Sequence, residues 1–214
     1  INDTADSKGT GAWSIISALD MGKPFDTSSS ALMFRYISSM SKERKESNVA
    51  YKIVKGKGMM KENMLNEAYQ AARIINHALA FNLLQEASIK YGWNLNCSEI
   101  ARVWSNGCII RSKLMLDLIK VISEEPLKHL LLHKKFVKKL EFLQPSLSKL
   151  VATASEVNCA LPTHSSALNF FLAFTTGPLS SNLIQAQRDF FGMHGLKPIN
   201  RPGDPYFNYE WGND

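Results

Sequence analysis

The residues best suited to chemistry lie near the amino end, in Lys8-Gly9-Thr10-Gly11-Ala12-Trp13. Two glycines free the backbone to approach a ligand, and an apolar helical stripe starts directly after them. A helix start offers uncommitted N–H groups and the positive end of the helix dipole, and the Thr10 hydroxyl and Lys8 ammonium add donors. Such a set suits a phosphate. It is not the dinucleotide fingerprint GxGxxG, because Ser14 occupies the place of the third glycine and no strand precedes it. Nor is it a P-loop, which ends in Gly-Lys-Ser/Thr. A glycine-rich turn that merely caps a helix is the alternative reading of the same six residues.

A second group is Gln187-Arg188-Asp189-Phe190-Phe191-Gly192-Met193-His194. Arg188 falls near the end of an aromatic-bearing helix, and Gly192 is expected to release the chain so that His194 lies beyond it. An arginine and a histidine placed so could bind an anion by bidentate and single hydrogen bonds. The competing reading is an arginine paired to a nearby acid and a half-buried histidine. Arg35, between Phe34 and Tyr36, has the same two readings. His129 and His133 stand four apart, a spacing zinc uses, but with no third ligand they read as an exposed helix face. The run Lys134 to Lys139 reads as a solvated basic face. No metal site is expected. Asn2 and Asn96 match the glycosylation pattern without a secretory signal.

The elements that must position these residues are helices throughout. The apolar spacing predicts helices over 12–22 and from Asp26 to Met40, the second ending in the charged run Lys42 to Glu46. Segment 47–62 reads as a linker or frayed helix end. From Glu62 to about Tyr91, Leu65, Ala68, Ala72, Ile75, Leu79 and Leu83 recur at helical steps. Ala71, Ile74, Ala78 and Phe81 occupy its other faces, so this helix is expected to run through the middle of a domain. Further helices are expected over 98–122, 127–143, 147–159, 163–175 and 180–191, with Pro145 as a break. Residues 197–214 hold three prolines and two glycines and are expected to form an irregular tail. No strand alternation or fixed-period repeat is seen, so the fold class is all-α, a large multi-helix domain around one long central helix.

Composition sets bounds on what such a domain can do. The chain has 214 residues, 45% of them apolar, and a formal charge of +6. That content excludes a disordered tail or a collagen-like fibre, and the length allows burial of roughly 70% of the unfolded surface. The three cysteines Cys97, Cys108 and Cys159 form no CxxC pair and read as reduced thiols of a cytoplasmic protein. No apolar run reaches the length of a membrane span. The positive charge fits an anionic partner, with a basic nucleic-acid-binding or oligomerisation module as the alternative to an enzyme part.

The stretch from Ile1 to Trp13 resembles the signature of 6-phosphogluconate dehydrogenase: aliphatic, any residue, Asp, two residues, small, polar, then Lys-Gly-Thr-Gly, any residue, Trp. Three further stretches resemble the same family in the same order. They are Phe34-Arg35 with Ser38-Ser39, then Gly92-Trp93 through Trp104 to Gly107-Cys108-Ile109-Ile110-Arg111-Ser112, and Leu161-Pro162 through Asn182 to Gly192 and His194. Segments 47–62 and 113–158 match weakly, and 55–61 has no clear counterpart. Ala12 and Asp6 depart from the more usual signature residues, and Asp6, an unwelcome charge beside a phosphate, is expected to face solvent.

The resemblance implies an oxidoreductase of the pentose phosphate pathway. It converts 6-phosphogluconate to ribulose 5-phosphate and carbon dioxide while reducing NADP. It further implies a homodimer whose N-terminal Rossmann domain is absent from this chain. Residues 1–196 are then the helical substrate-binding and dimerisation domain and 197–214 its tail. By similarity Lys8, Thr10 and Arg35 bind the substrate phosphate within one subunit, while Arg188 and His194 reach the site of the other. The general base and acid belong to the absent part, as does most of the NADP site, so the fragment alone is expected to be inactive. Neither nucleic acid nor a membrane is an expected partner.

Overall fold

The computed structural model describes residues 1–201 and 203–212; Pro202 and the last two positions of the expected tail lie outside the described residues. The described residues form nine α-helices: α1 (Thr10–Asp20), α2 (Asp26–Ser39), α3 (Ser41–Tyr51), α4 (Glu62–Tyr91), α5 (Cys97–Trp104), α6 (Lys113–Glu124), α7 (Lys134–Glu156), α8 (Pro162–Thr175) and α9 (Ser181–Gly192). Among them the only extended pairing is a single antiparallel bridge between Leu196 and Phe207. The fold is all-α. No helix of the described residues is long and apolar enough to cross a membrane. The chain divides into two compact units, Ile1–Phe171 and Leu172–Asp214.

The first unit is built on α4. Its 30 residues extend about 45 Å at 1.5 Å per residue. Ala68, Ala71, Ile75, Ala78 and Phe81 are fully or nearly fully buried, and the small alanines let α7 lie close against them. From α7 come Phe136, Leu140, Leu143 and Leu147, and from α6 Met115, Leu118, Val121 and Ile122. Gly92, at φ +64°, ends α4 in the left-handed conformation that glycine adopts without penalty.

Pro145 does not break the chain as expected; α7 continues through it from Lys134 to Glu156. A proline inside a helix loses one backbone hydrogen bond and crowds the preceding turn. Leu143, Ser146 and Leu147, on both sides of it, are buried, and the Ser146 hydroxyl donates to Glu67 of α4 at 2.5 Å. Tertiary burial on both flanks holds the two halves in one rod. The single helix expected over 98–122 is instead α5 and α6, separated at Gly107, whose φ of +74° no continuing helix allows. Asn96 caps α5 by accepting from the N–H groups of Ser98 and Glu99.

Helix α7 also starts later than expected, after a 3₁₀ turn at Leu130–Leu132. The exposed helix face expected for His129 and His133 is therefore not formed. His133 is 3% exposed, with Nδ1 3.2 Å from Glu125 and Nε2 3.3 Å from the Lys128 carbonyl, and His129 Nδ1 accepts from the Leu131 N–H. Both rings brace the turn. The charged run at Lys42 belongs to α3, a separate helix begun after a turn at Met40. Residues 52–61 are irregular but not a loose linker. Gly56 donates its N–H to the Val157 carbonyl at 3.1 Å, and Asn158 donates to the Val54 carbonyl. A Cβ on Gly58 would approach Thr153 to 3.0 Å, so glycine here serves contact with the end of α7.

In the second unit the tail is irregular yet anchored. Asp189, 1% exposed on α9, accepts from the N–H groups of Gly195 and Tyr209 and from the Trp211 indole, at 2.8, 2.9 and 2.9 Å. The Tyr209 N–H first, then the indole and the Gly195 N–H, hold its carboxyl below the ordinary value of 3.8 against the opposing effect of burial.

Two outcomes follow from this packing. Phe81, fully buried and 5.5 Å from the Trp104 ring, fills the space between α4 and α5. Phe81→Ala should destabilise by about 3–5 kcal/mol, read as a lower urea midpoint at constant slope. His77 is also buried, and burial lowers its pKa below the usual 6.5, as it does for His129 and His164. The unfolded chain therefore takes up protons that the folded chain refuses, so stability should fall as pH drops below 6.5. Urea titrations of His77→Gln should show a shallower loss over that window; an unchanged slope would remove His77 from the account.

Candidate functional site

The hexapeptide at the amino end folds as its glycines require. Gly9 takes φ +90°, a left-handed conformation, and forms the N-cap of α1. Its carbonyl accepts the first helical bond from Trp13 at 3.1 Å, and the Trp13 ring lies over the glycine, 3.7 Å from where a Cβ would stand. No side chain caps this helix start, so the N–H groups at its first turn face outward with Lys8 and Thr10, both exposed. Asp6 is exposed, as anticipated.

Helix α2 packs beside α1: a Cβ on Gly11 would touch Leu32 at 3.8 Å, and Leu32 is buried. At its start Thr27, 1% exposed, donates to the Asn76 side chain of α4, and Ser30 shares a hydrogen bond with Ser166 of α8. Both contacts fix α2 on the body of the unit. Arg35, on the exposed side of α2, makes no ion pair among the described residues. Lys8 just before α1, Thr10 at its start and Arg35 on the neighbouring α2 are all exposed, with no ion pair among the described residues.

Arg188 and His194 lie in the second unit. Arg188 is exposed and its Nη1 donates to the Gln185 side chain at 3.2 Å, with no ion pair among the described residues, while Asp189 turns inward to hold the tail. His194 is exposed as well. The reading of a paired arginine and a half-buried histidine is therefore not what the fold shows. Release of the chain falls to Met193, at φ +50°, and not to Gly192 as expected. Gly192 matters for a steric reason instead. A Cβ there would lie 2.8 Å from the His194 ring, so the glycine lets the imidazole fold back over the helix end.

Three side chains that hold irregular segments in place were not singled out by residue type and spacing. Asp189 sits inside a quoted motif, but its role depends on residues 20 and 22 positions away. Asp3 and Arg44 form an ion pair at 2.8 Å across 41 residues. Asp3 was marked only as part of the signature and Arg44 only as part of a charged run, and neither signal paired them. A cleft of about 680 Å³ between α4, α6 and α7 holds none of the expected site residues. Its Asp117 pairs with both Lys135 and Lys139. The described residues form no strand–turn–helix unit for a dinucleotide and no cluster of three or more metal-ligating side chains.

Comparison with known proteins places these features in a family. The family model for the 6-phosphogluconate dehydrogenase C-terminal domain matches residues 1–211. The chain is 36% identical to the decarboxylating 6-phosphogluconate dehydrogenase 1 of Saccharomyces cerevisiae, over 99% of this chain and 46% of that protein. It is 34% identical to the mouse (Mus musculus) decarboxylating enzyme, over 99% of this chain and 45% of the relative. A solved structure of the Plasmodium falciparum 6-phosphogluconate dehydrogenase, studied in apo form and in complex with NADP+ and 6-phosphogluconate, superposes with a TM-score of 0.91 at 30% identity. That match covers 99% of this chain and 46% of the other. The chain thus spans less than half the length of the relatives it matches. With the match running from the signature at Ile1 through the tail, the chain belongs to the 6-phosphogluconate dehydrogenase family, in its C-terminal domain.

Proposed function

We propose that this chain is the substrate-holding part of an NADP-dependent decarboxylating dehydrogenase that converts 6-phosphogluconate to ribulose 5-phosphate and carbon dioxide. The observation that carries the reading is the uncapped start of α1, with exposed Lys8 and Thr10, beside α2 with its unpaired Arg35. A phosphate carries nearly two negative charges at neutral pH, and helix-start N–H groups, an ammonium and a guanidinium are complementary to it. The phosphate does not react. Holding it orients the sugar acid, so binding energy at this end is spent on positioning the reacting end. NADP, when bound, accepts the hydride; we place its binding mainly in the part of the relatives' length that this chain does not cover, together with the general base and acid.

Residues 1–196 act in this proposal as the substrate-binding and dimerisation domain and 197–214 as the tail. Arg188 and His194 enter the site of the second subunit of a homodimer. The exposed apolar side chains around them support a subunit boundary: Leu183, Ile184, Phe190, Phe191 and Met193 are each more than half exposed. The free thiols of Cys97, Cys108 and Cys159 fit a cytoplasmic enzyme. Neither a metal, a nucleic acid nor a membrane has a part in this reading.

Two measurements bear on it. In the full-length enzyme, Arg188→Ala should raise KM for 6-phosphogluconate roughly 10- to 100-fold, the worth of a charge-assisted bidentate contact, with a smaller effect on KM for NADP. An unchanged substrate KM would remove Arg188 from the phosphate. The purified 214-residue chain alone should reduce no NADP in the presence of 6-phosphogluconate; measurable NADPH formation would contradict the division of roles.

A further inference from the structure

The proposed phosphate site draws on two separate pieces of chain, and one small polar network joins them. Lys8 ends a stretch, residues 1–8, that has no helical or strand bonding of its own. The Ala5 N–H donates to the Ser38 hydroxyl at 2.9 Å, and that hydroxyl donates to the Arg35 carbonyl at 2.7 Å. Arg44, on α3, donates from Nη1 to Asp3 at 2.8 Å and from Nη2 to the Ser38 carbonyl at 3.0 Å. Ser38 is therefore bonded to three partners at once: the stretch before Lys8, the backbone of Arg35, and Arg44.

We propose that Ser38 and Arg44 are positioning residues that set the separation between Lys8 and Thr10 on one side and Arg35 on the other. The inference rests on the phosphate reading above. Without the network nothing described holds the stretch before Lys8 to α2, and the ammonium would sample a wide arc. A site whose donors drift by an ångström loses much of its grip on a bound phosphate. The guanidinium suits this role because its planar fork serves a carboxylate and a carbonyl together, which a single ammonium cannot do in the same geometry. Arg44 keeps its Nε buried without a hydrogen-bond partner, a cost borne while both terminal nitrogens are aimed. The hydrogen bond from Arg44 also holds the Asp3 carboxyl below its ordinary value. An exposed ion pair contributes little to stability, so its expected effect lies in site geometry.

The test uses the full-length enzyme with Ser38→Ala, Arg44→Gln, Arg44→Lys and, as a control, Lys8→Ala. Each variant is assayed with 6-phosphogluconate and with gluconate, which lacks the phosphate. Ser38→Ala and Arg44→Gln should raise KM for 6-phosphogluconate about tenfold while kcat and the KM for NADP stay within about twofold. Arg44→Lys should recover little of that loss. Turnover of gluconate should be unaffected, since it does not use the aligned donors. If Lys8→Ala raises KM but Ser38→Ala and Arg44→Gln do not, the positioning role is overturned and the phosphate reading stands. Equal losses on both substrates, with a lowered thermal midpoint, would mark the network as merely structural and overturn the inference. Should Lys8→Ala leave KM unchanged, the phosphate reading itself falls, and this inference with it.

Discussion

The packing of α4 against α7 is the contact on which the first unit depends. Alanines at 68, 71, 72 and 78 leave α4 with a nearly smooth flank, against which Phe136, Leu140, Leu143 and Leu147 settle. Close approach gains dispersion and removes water over a long interface, and it is rigid because there is no room for alternative rotamers. Helix α6 closes over the same core, and α2 is tied to it through Thr27 and Asn76. The α1 start and Arg35 take their place from that framework, although neither belongs to the core.

The irregular segments are fixed in a different way. Each is held by one or two residues that hydrogen-bond across the fold. Asp189 gathers three donors from the tail, Asn158 and Val157 hold residues 54 and 56 to the end of α7, and Ser38 with Arg44 gathers the amino-terminal stretch. A multiply bonded polar group suits this role, because every lost bond leaves a desolvated partner and the arrangement is therefore specific. Apolar packing supplies stability in this protein, while these polar nodes decide where the chemically able side chains stand.

Several features were legible in the sequence for local reasons. The three- and four-residue recurrence from Leu65 to Leu83 specified α4, since periodicity depends only on neighbours along the chain. Gly9 and Gly11 before an apolar stripe marked the start of α1, and the same residues carry the family signature. The breaks were less legible. Pro145 has a strong local tendency to end a helix, yet α7 runs through it. Ser105-Asn106-Gly107 held a turn signal that the apolar pattern on either side obscured.

The sequence by itself determined the all-α class and the long central helix, because both follow from residue type and short-range spacing, and its resemblance to a known signature pointed to the family. Only the tertiary structure decided that Pro145 stays helical, that His133 is buried against Glu125, and that Asp189 turns inward while Arg188 turns out. It alone joined Ala5 to Ser38 across 33 positions and Asp3 to Arg44 across 41. The reason is physical: such bonds depend on which side chains the packed helices bring within about 3 Å, and no local pattern along the chain encodes that proximity.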